Sequence, residues 1–223
     1  MDFRLDAVGE GRGAIALNPR NLKGPLQDSS TWMPSAASPV TSAAAATDEA
    51  AFARRLAAFE AEAWESLFER EFPRVYRFAF VRTGSAPVAE DIAAEVFEEA
   101  AARIGRYEYR GLPVRAWLFR IARNLTADHL SRSKRRPVLR LGDAEEQPAP
   151  APPDIESLTD VARAMAWLTP EQQEVIALRF ISGCDLAETA ASLGKSVGAV
   201  KLLQHRALQA LRKRLEADGE RYR

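Results

Sequence analysis

Basic and aromatic side chains follow one another closely between Tyr107 and Arg136, and side chains of these two types can bind ligands through their charges and rings. Rings stack on unpaired bases and cations bind phosphates, so a basic helix that follows an aromatic loop is typical of a single-stranded nucleic-acid site. The polar residues that decorate this predicted helix are Arg115, Arg120, Arg123, Asn124, Asp128, Arg132, Lys134, Arg135 and Arg136. Two simpler explanations stay open: Trp117 can be a core residue, and a basic helix end can merely complement the helix macrodipole.

A second basic group lies between Asp185 and Leu215, where two predicted helices meet at a tight turn. Asp185 can cap the first helix, Gly194 can end it, and Ser196 can cap the second. This geometry is typical of a helix-turn-helix, which presents its second helix to a DNA major groove. Positive charge along the turn and the second helix comes from Lys195, Lys201, Arg206, Arg212, Lys213 and Arg214. An ordinary helical hairpin with a solvated basic face has the same spacing, which alone does not separate the two.

Both groups of basic residues are expected to lie on helices, because apolar residues recur at helical spacing from Asp48 onward. We therefore predict an all-α chain with two small helical domains, at residues 48–136 and 154–218. A Pro-rich stretch at 137–153 is expected to be a flexible linker between them. Residues 1–47 mix Gly, Pro, Ser and Ala without a sustained period, which predicts a disordered extension.

The first domain is expected to contain successive helices before the aromatic loop. Because proline is tolerated in a first helical turn, we expect one helix to end near Phe68 and the next to begin at Phe72-Pro73. A third helix is predicted to begin after Ser85. One of its faces carries an acidic stripe of Glu90, Asp91, Glu95, Glu98 and Glu99. Such a stripe is solvated surface in most helices, and a partner surface where something basic binds it.

Several function classes are disfavoured by composition. With one cysteine, Cys184, and two histidines, we expect no zinc-ligand cluster, no metal and no other cofactor. No nucleophile–base pair or phosphate loop is evident, so we do not expect an enzyme. The formal net charge of the chain is zero, so the local electrostatic field of each charged segment matters more for binding than the net charge. We expect a soluble cytoplasmic protein, because no apolar run approaches the roughly 20 residues of a membrane span.

The order of these pieces resembles an extracytoplasmic-function (ECF, group IV) sigma factor of the sigma-70 family of bacterial RNA polymerase. The resemblance runs from about Phe68 to Leu215. It is carried by FPRVYRFAFVRTGSAPVAEDIAAEVFEEA, YRG, RAWLFRIARNLTADHLSRSKRR, LTPEQQEVIALRF and the helix-turn-helix. It implies a non-enzymatic initiation factor that binds core RNA polymerase, selects a promoter and helps to open the duplex. It leaves the first third of the chain outside.

The resemblance implies particular contacts with core polymerase and with regulators. Asp91 and Glu95, with Glu98 next, occupy positions that contact the clamp coiled-coil of the largest subunit, and the flap region is a further partner. Ala94 departs from the family, which usually has Gln there, so the contact is expected to rest on the carboxylates. Members of the family are commonly held inactive by an anti-sigma factor, which is a further possible partner of this chain.

The resemblance also implies two DNA contacts. A base of the minus-ten element is flipped into a pocket made by the Tyr107–Leu112 loop and the head of the following helix. The implied minus-ten residues are Tyr109, Arg110, Trp117, Arg120, Arg123, Asn124, Arg132, Lys134 and Arg135. The implied minus-thirty-five residues are Ser196, Lys201, Leu202, Gln204, His205 and Arg206. Of the paired residues Leu202 and Leu203, at least one is expected to pack inward.

Two rival interpretations remain. A stand-alone helix-turn-helix regulator would never join polymerase, and the acidic helix and the basic helix argue against it. A helical scaffold or anti-activator would act through protein contacts alone. A pull-down with core enzyme separates the first rival from a sigma factor, and reconstituted promoter-specific transcription separates the second.

Overall fold

The computed structural model describes residues 43–135 and 155–221, with the side chains of 46–133 and 157–217. Within these ranges the regular structure is entirely helical, which confirms the all-α prediction. The longer helices are α1 (Ala43–Ala57), α2 (Ala61–Thr83), α3 (Ala86–Arg103), α4 (Val114–Arg135), α5 (Ile155–Met165), α6 (Pro170–Ile176), α7 (Leu186–Leu193) and α8 (Val197–Arg221). The predicted linker, most of the predicted N-terminal extension, and the side chains of Lys134 and Arg135 lie outside the described residues.

The predicted helix start at Phe72-Pro73 is wrong, because Pro73 lies inside α2. Proline costs an interior helix about 3 kcal/mol. The apolar face of α2 nevertheless continues on both sides of it, with Leu67, Val75 and Phe78 each no more than 1% exposed. Burying side chains of this size stabilises by about 1.5–3 kcal/mol each, which outweighs the missing hydrogen bond.

The helical segment is interrupted earlier instead, near Phe59, whose φ of 56° is left-handed and follows the end of α1. Trp64 stabilises this corner, because its indole N–H donates a hydrogen bond to the carbonyl of Leu56 at 3.0 Å. The α1 helix is therefore a separate element that is attached to α2 by a short, fixed corner.

The helix caps predicted at Asp185 and Ser196 are confirmed, and Thr169 caps a further helix. Thr169 caps α6 and Asp185 caps α7, each in a reciprocal capping box. Ser196 Oγ accepts a hydrogen bond from the backbone N–H of Ala199 at 3.2 Å, as a cap of α8 does. Gly194 ends α7 with a φ of 62°, a left-handed conformation that glycine adopts without strain. At α3, Ser85 occupies the cap position without a side-chain cap hydrogen bond.

The helices pack into two groups that touch each other. In the first group, α2 packs against α3 and α4, and the rings of Phe78 and Phe119 meet edge to face at 5.9 Å. In the second group, α6 and α7 pack against α8. The groups meet where α2 contacts α5 and where α4 contacts α7. Ser192 Oγ donates to the carbonyl of Ala116 at 2.9 Å inside this junction.

Among the helices of the described ranges, none combines the length and the apolar character that a membrane crossing requires.

Candidate nucleic-acid and protein interface

The acidic face of α3 is free for a partner. Asp91, Glu95 and Glu98 are exposed, whereas Ile92 and Val96 on the opposite side are buried in the core. Among the described residues, none of these three acids forms an ion pair. The face therefore presents uncompensated carboxylates, as electrostatic recognition of a basic partner requires.

A cavity of about 370 Å³ adjoins this acidic face, between α3 and α4. Its lining consists of Val88, Asp91, Ile92, Glu95, Leu125, His129, Arg132 and Ser133. Two of the predicted docking acids thus share a surface with Arg132, for which the resemblance implies a DNA contact. Glu99, one turn further along α3, differs from them: it pairs with Arg103, and burial raises the pKa of its carboxyl.

The aromatic loop before α4 is held by a hydrogen bond and by ring packing. The hydroxyl of Tyr107 donates to the carbonyl of Leu112 at 2.8 Å, and its ring lies 5.2 Å from that of Trp117. Burial raises the pKa of Tyr107, so this hydroxyl keeps its proton at physiological pH. Trp117 is half-buried against the core, which favours a packing role over that of a base wedge.

The predicted minus-ten residues are only partly available in this arrangement. Tyr109, Arg120 and Asn124 are half-buried, and burial lowers the pKa of the Arg120 guanidinium. The guanidinium of Arg110 is paired with Glu108 at 2.6 Å. Arg132 is exposed, and its Nε donates to the carbonyl of Asp128 at 3.3 Å.

The helix-turn-helix presents most of its predicted DNA residues to solvent. Ser196, Lys201, His205 and Arg206 are exposed, and Leu202 keeps 49% of its surface. Leu203 packs against the core, which confirms that one of the two leucines turns inward. The amide of Gln204 is already engaged, because its Oε1 accepts a hydrogen bond from Arg179 Nε at 3.0 Å. Of the predicted minus-thirty-five residues on α8, those that remain exposed are therefore Lys201, Leu202, His205 and Arg206.

A polar network between the two groups of helices was not predicted. Arg115, at the start of α4, donates to the carbonyl of Ser182 at 2.7 Å. Its guanidinium also lies 3.5 Å from the carboxylate of Glu71 and 3.7 Å from that of Glu188. Glu71 is 1% exposed, so removal of its cationic partners would leave a buried charge and cost about 3–5 kcal/mol.

Two further polar contacts cross the same junction. The guanidinium of Arg123 pairs with Glu174 at 3.2 Å, and that of Arg82 donates to the amide oxygen of Gln173. Burial lowers the pKa of the Arg82 guanidinium. One sequence signal could have revealed the junction, since Glu71 occupies the otherwise apolar stripe of α2 between Leu67 and Val75. An acid in such a stripe needs a buried partner.

Family models match both groups of helices. Sigma-70 region 2 matches residues 67–136, and sigma-70 region 4 matches residues 164–213. The curated relative BldN, an ECF RNA polymerase sigma factor of Streptomyces coelicolor, is 41% identical over 171 residues. That alignment covers 74% of this chain and 65% of BldN, so the chain spans slightly under two thirds of that relative.

Two solved structures share the fold. CnrH in complex with the cytosolic domain of CnrY has a TM-score of 0.61 and 27% identity, covering 76% of this chain and 98% of CnrH. The sigma factor RpoE of Bartonella quintana, solved with the anti-sigma factor NepR, has a TM-score of 0.53 and 26% identity, covering 69% and 97%. The chain belongs to the extracytoplasmic-function sigma factors of the sigma-70 family.

Proposed function

We propose that this protein is an RNA polymerase sigma factor that binds core polymerase, recognises minus-ten and minus-thirty-five promoter elements, and helps to melt the DNA. One observation carries the proposal: a single helical body combines an unpaired acidic helix face, an aromatic loop with a basic helix, and an exposed helix-turn-helix. A stand-alone helix-turn-helix regulator, the alternative, needs only the last of these. The protein acts by binding rather than by catalysis, in the bacterial cytoplasm where the polymerase works.

Docking to polymerase is assigned to Asp91, Glu95 and Glu98 on α3, with the basic clamp coiled-coil of the largest subunit as partner and the flap region as a second contact. Carboxylates without an internal cation give up no existing ion pair when they meet lysine or arginine. Ala94 is exposed beside them and offers no hydrogen bond, so the affinity must come from the charges. Such binding weakens as salt screens it.

Strand separation is assigned to the residues 48–136, and double-strand readout to the residues 154–218. In the first, Tyr109 and Asn124 are candidates to hold an unstacked base, with Arg120 and Arg123 as strand contacts and Arg132, Lys134 and Arg135 as phosphate contacts. The α8 residues Lys201, Leu202, His205 and Arg206 are the candidates for the minus-thirty-five element, with Ser196 at a phosphate.

We further propose that the junction between the two groups of helices opens during assembly on DNA. The Arg123 guanidinium is paired with Glu174 across this junction, and it must leave that carboxylate before it can contact a phosphate. An anti-sigma factor that favours the closed arrangement would block this step. RpoE was solved with the anti-sigma factor NepR, and an anti-sigma factor for this chain is part of the proposal.

Run-off transcription with core polymerase and a genomic promoter library tests the proposed function. We expect a limited set of promoters to give transcripts only when this protein is added. The start sites should share two sequence elements at a fixed spacing, since polymerase sets the distance between the two DNA readers. DNA binding without co-purification with core enzyme, and without such transcripts, would instead identify a stand-alone regulator.

A further inference from the structure

A hydrogen-bonded bridge joins α8 to the chain segment that precedes α7. Arg179 lies in the helical turn Ala177–Ile181, directly after α6. Its Nε donates to Oε1 of Gln204 at 3.0 Å, and its Nη1 donates to the carbonyl of Cys184. These two bonds hold a half-buried guanidinium between α8 and the turn that leads into α7. Arg179 therefore contacts Gln204 from a fixed position.

The chemistry of arginine decides which end of the Gln204 amide faces it. A guanidinium carries donors only, whereas a glutamine amide carries one acceptor oxygen and an NH2 group with two donors. Turning the amide over would place donors against donors, so the oxygen must face Arg179. Among the residues that the structure describes, none forms a hydrogen bond with Gln204 Nε2. Both N–H donors of this amide are therefore available to a ligand.

Gln204 lies at the edge of the exposed face of α8. It is half-buried, and the exposed residues Lys201 and Leu208 lie three residues before it and four residues after it. This spacing places the three side chains on one side of the helix. Lys201 adds an ammonium group, which also carries donors only. Because the oxygen of Gln204 is bound to Arg179, these three side chains offer donors and an apolar contact, and no unbound acceptor.

We propose that Arg179 is a positioning residue that turns the NH2 group of Gln204 toward the major groove, so that one base pair of the minus-thirty-five element is selected for guanine over adenine. The inference rests on the proposed function and deepens it. Guanine presents two acceptors in the major groove, N7 and O6, whereas adenine presents the acceptor N7 and the donor N6. A glutamine that is free to turn binds adenine at both atoms, because its oxygen accepts from N6. With that oxygen held by Arg179, Gln204 matches guanine and leaves the N6 donor of adenine unpaired.

The test uses polymerase holoenzyme and duplex DNA of a promoter identified by the run-off experiment. Each base pair of the minus-thirty-five element is changed in turn, and competition with a labelled parent duplex gives the relative affinities. At one position we expect wild-type holoenzyme to prefer guanine over adenine about tenfold. Arg179→Met removes the donors and keeps a long side chain, so it should lose this preference or reverse it to adenine. Gln204→Ala should lose the preference as well.

The scan of base pairs separates orientation of Gln204 from a merely structural role of Arg179. If Arg179 only stabilised the turn at Cys184, Arg179→Met would weaken binding to all duplexes alike and keep the guanine preference. That result would overturn the inference, as would a wild type without a guanine preference, or a Gln204→Ala variant with wild-type preferences at every base pair.

The matched control removes a different arginine from the same group of helices. Arg163 is exposed on α5 and pairs with Asp160 of the same helix at 3.0 Å. Arg163→Met should therefore keep the wild-type preference at every base pair. Failure of the proposed function is distinguishable, because wild-type holoenzyme would then give no promoter-specific transcripts.

Discussion

Arg123 Nε lies 3.2 Å from Glu174 Oε2, and this ion pair joins α4 to α6 across the junction between the two groups of helices. The carboxylate keeps only 13% of its side-chain surface and the guanidinium 33%, so water screens the pair incompletely. A cation that the resemblance assigns to promoter DNA is thus neutralised within the protein itself. If Arg123 contacts the melted strand as we propose, DNA binding and closure of the junction compete for this side chain.

Glu174→Gln should strengthen the binding of single-stranded DNA by the protein without polymerase. The substitution removes the charge that holds Arg123, while an amide of the same shape fills the space. We expect a severalfold gain in affinity for a fluorescent oligonucleotide at low salt, in the range of about 1 kcal/mol for a partly screened ion pair. Fluorescence anisotropy measures it, and the gain should disappear in Arg123→Ala with Glu174→Gln. A gain that survives in the double variant would show that Arg123 is not involved.

Cys184, the single cysteine of the chain, should report opening of the junction. It is 1% exposed, and burial raises the pKa of its thiol from the ordinary 9.0 to about 12, an effect that nearby Arg115 opposes. The thiolate is the reactive form, so labelling at pH 8–9 must wait for opening. We expect slow labelling of the wild type by a disulfide reagent, and faster labelling of Arg115→Ala, which loses the contacts to Ser182 and Glu188.

The labelling experiment has an internal reference. Protein unfolded in urea should react at the rate of a free thiol, because both burial and the pKa shift are then lost. Addition of core polymerase should accelerate the reaction of the wild type if opening accompanies assembly. Wild-type labelling at the unfolded rate would contradict a closed junction in solution.

Reversal of charge on α3 should abolish binding to core polymerase. Asp91→Arg with Glu95→Arg places two cations opposite a basic partner, and both positions are exposed, so the fold should stay intact. Co-purification with core enzyme measures binding, and circular dichroism checks the helices. Glu65→Arg with Glu69→Arg, an equally exposed pair with the same spacing on α2, is the matched control. Retention of the α3 variant on core enzyme at low salt would remove Asp91 and Glu95 from the docking surface.

The adjacent leucines of α8 should separate stability from DNA readout. Leu203 packs against the core, so Leu203→Ala should lower the free energy of unfolding by about 2 kcal/mol, measured by urea titration. Leu202 is 49% exposed, so Leu202→Ala should leave stability within about 0.5 kcal/mol of the wild type. We expect Leu202→Ala instead to weaken binding to minus-thirty-five DNA through the loss of a thymine methyl contact. Loss of stability in Leu202→Ala and loss of DNA binding in Leu203→Ala would contradict the orientation of this part of α8.

Local rules accounted for the features that the sequence predicted correctly. Asp185 and Ser196 each cap a helix through a partner within three residues, so the residues of a single turn suffice to predict the cap. The helix start predicted at Pro73 is wrong because burial of apolar side chains on both sides of it outweighs the local preference of proline for a first helical turn. The junction depends on residues far apart in the chain, such as Arg115 with Ser182, and no periodicity reports which charged side chain will meet which distant carbonyl.

The position of Arg115 also constrains how the chain is made. Its acceptors Ser182 and Glu188 lie far downstream, whereas Glu71 precedes it. Domains generally fold in order of synthesis, at about 5–20 residues per second. Of these three partners of Arg115, the nascent α2–α4 group can therefore offer it only Glu71, several seconds before α7 is synthesised. We therefore expect the first group to form with Glu71 already beside Arg115, and the contacts of Arg115 to Ser182 and Glu188 to be added later.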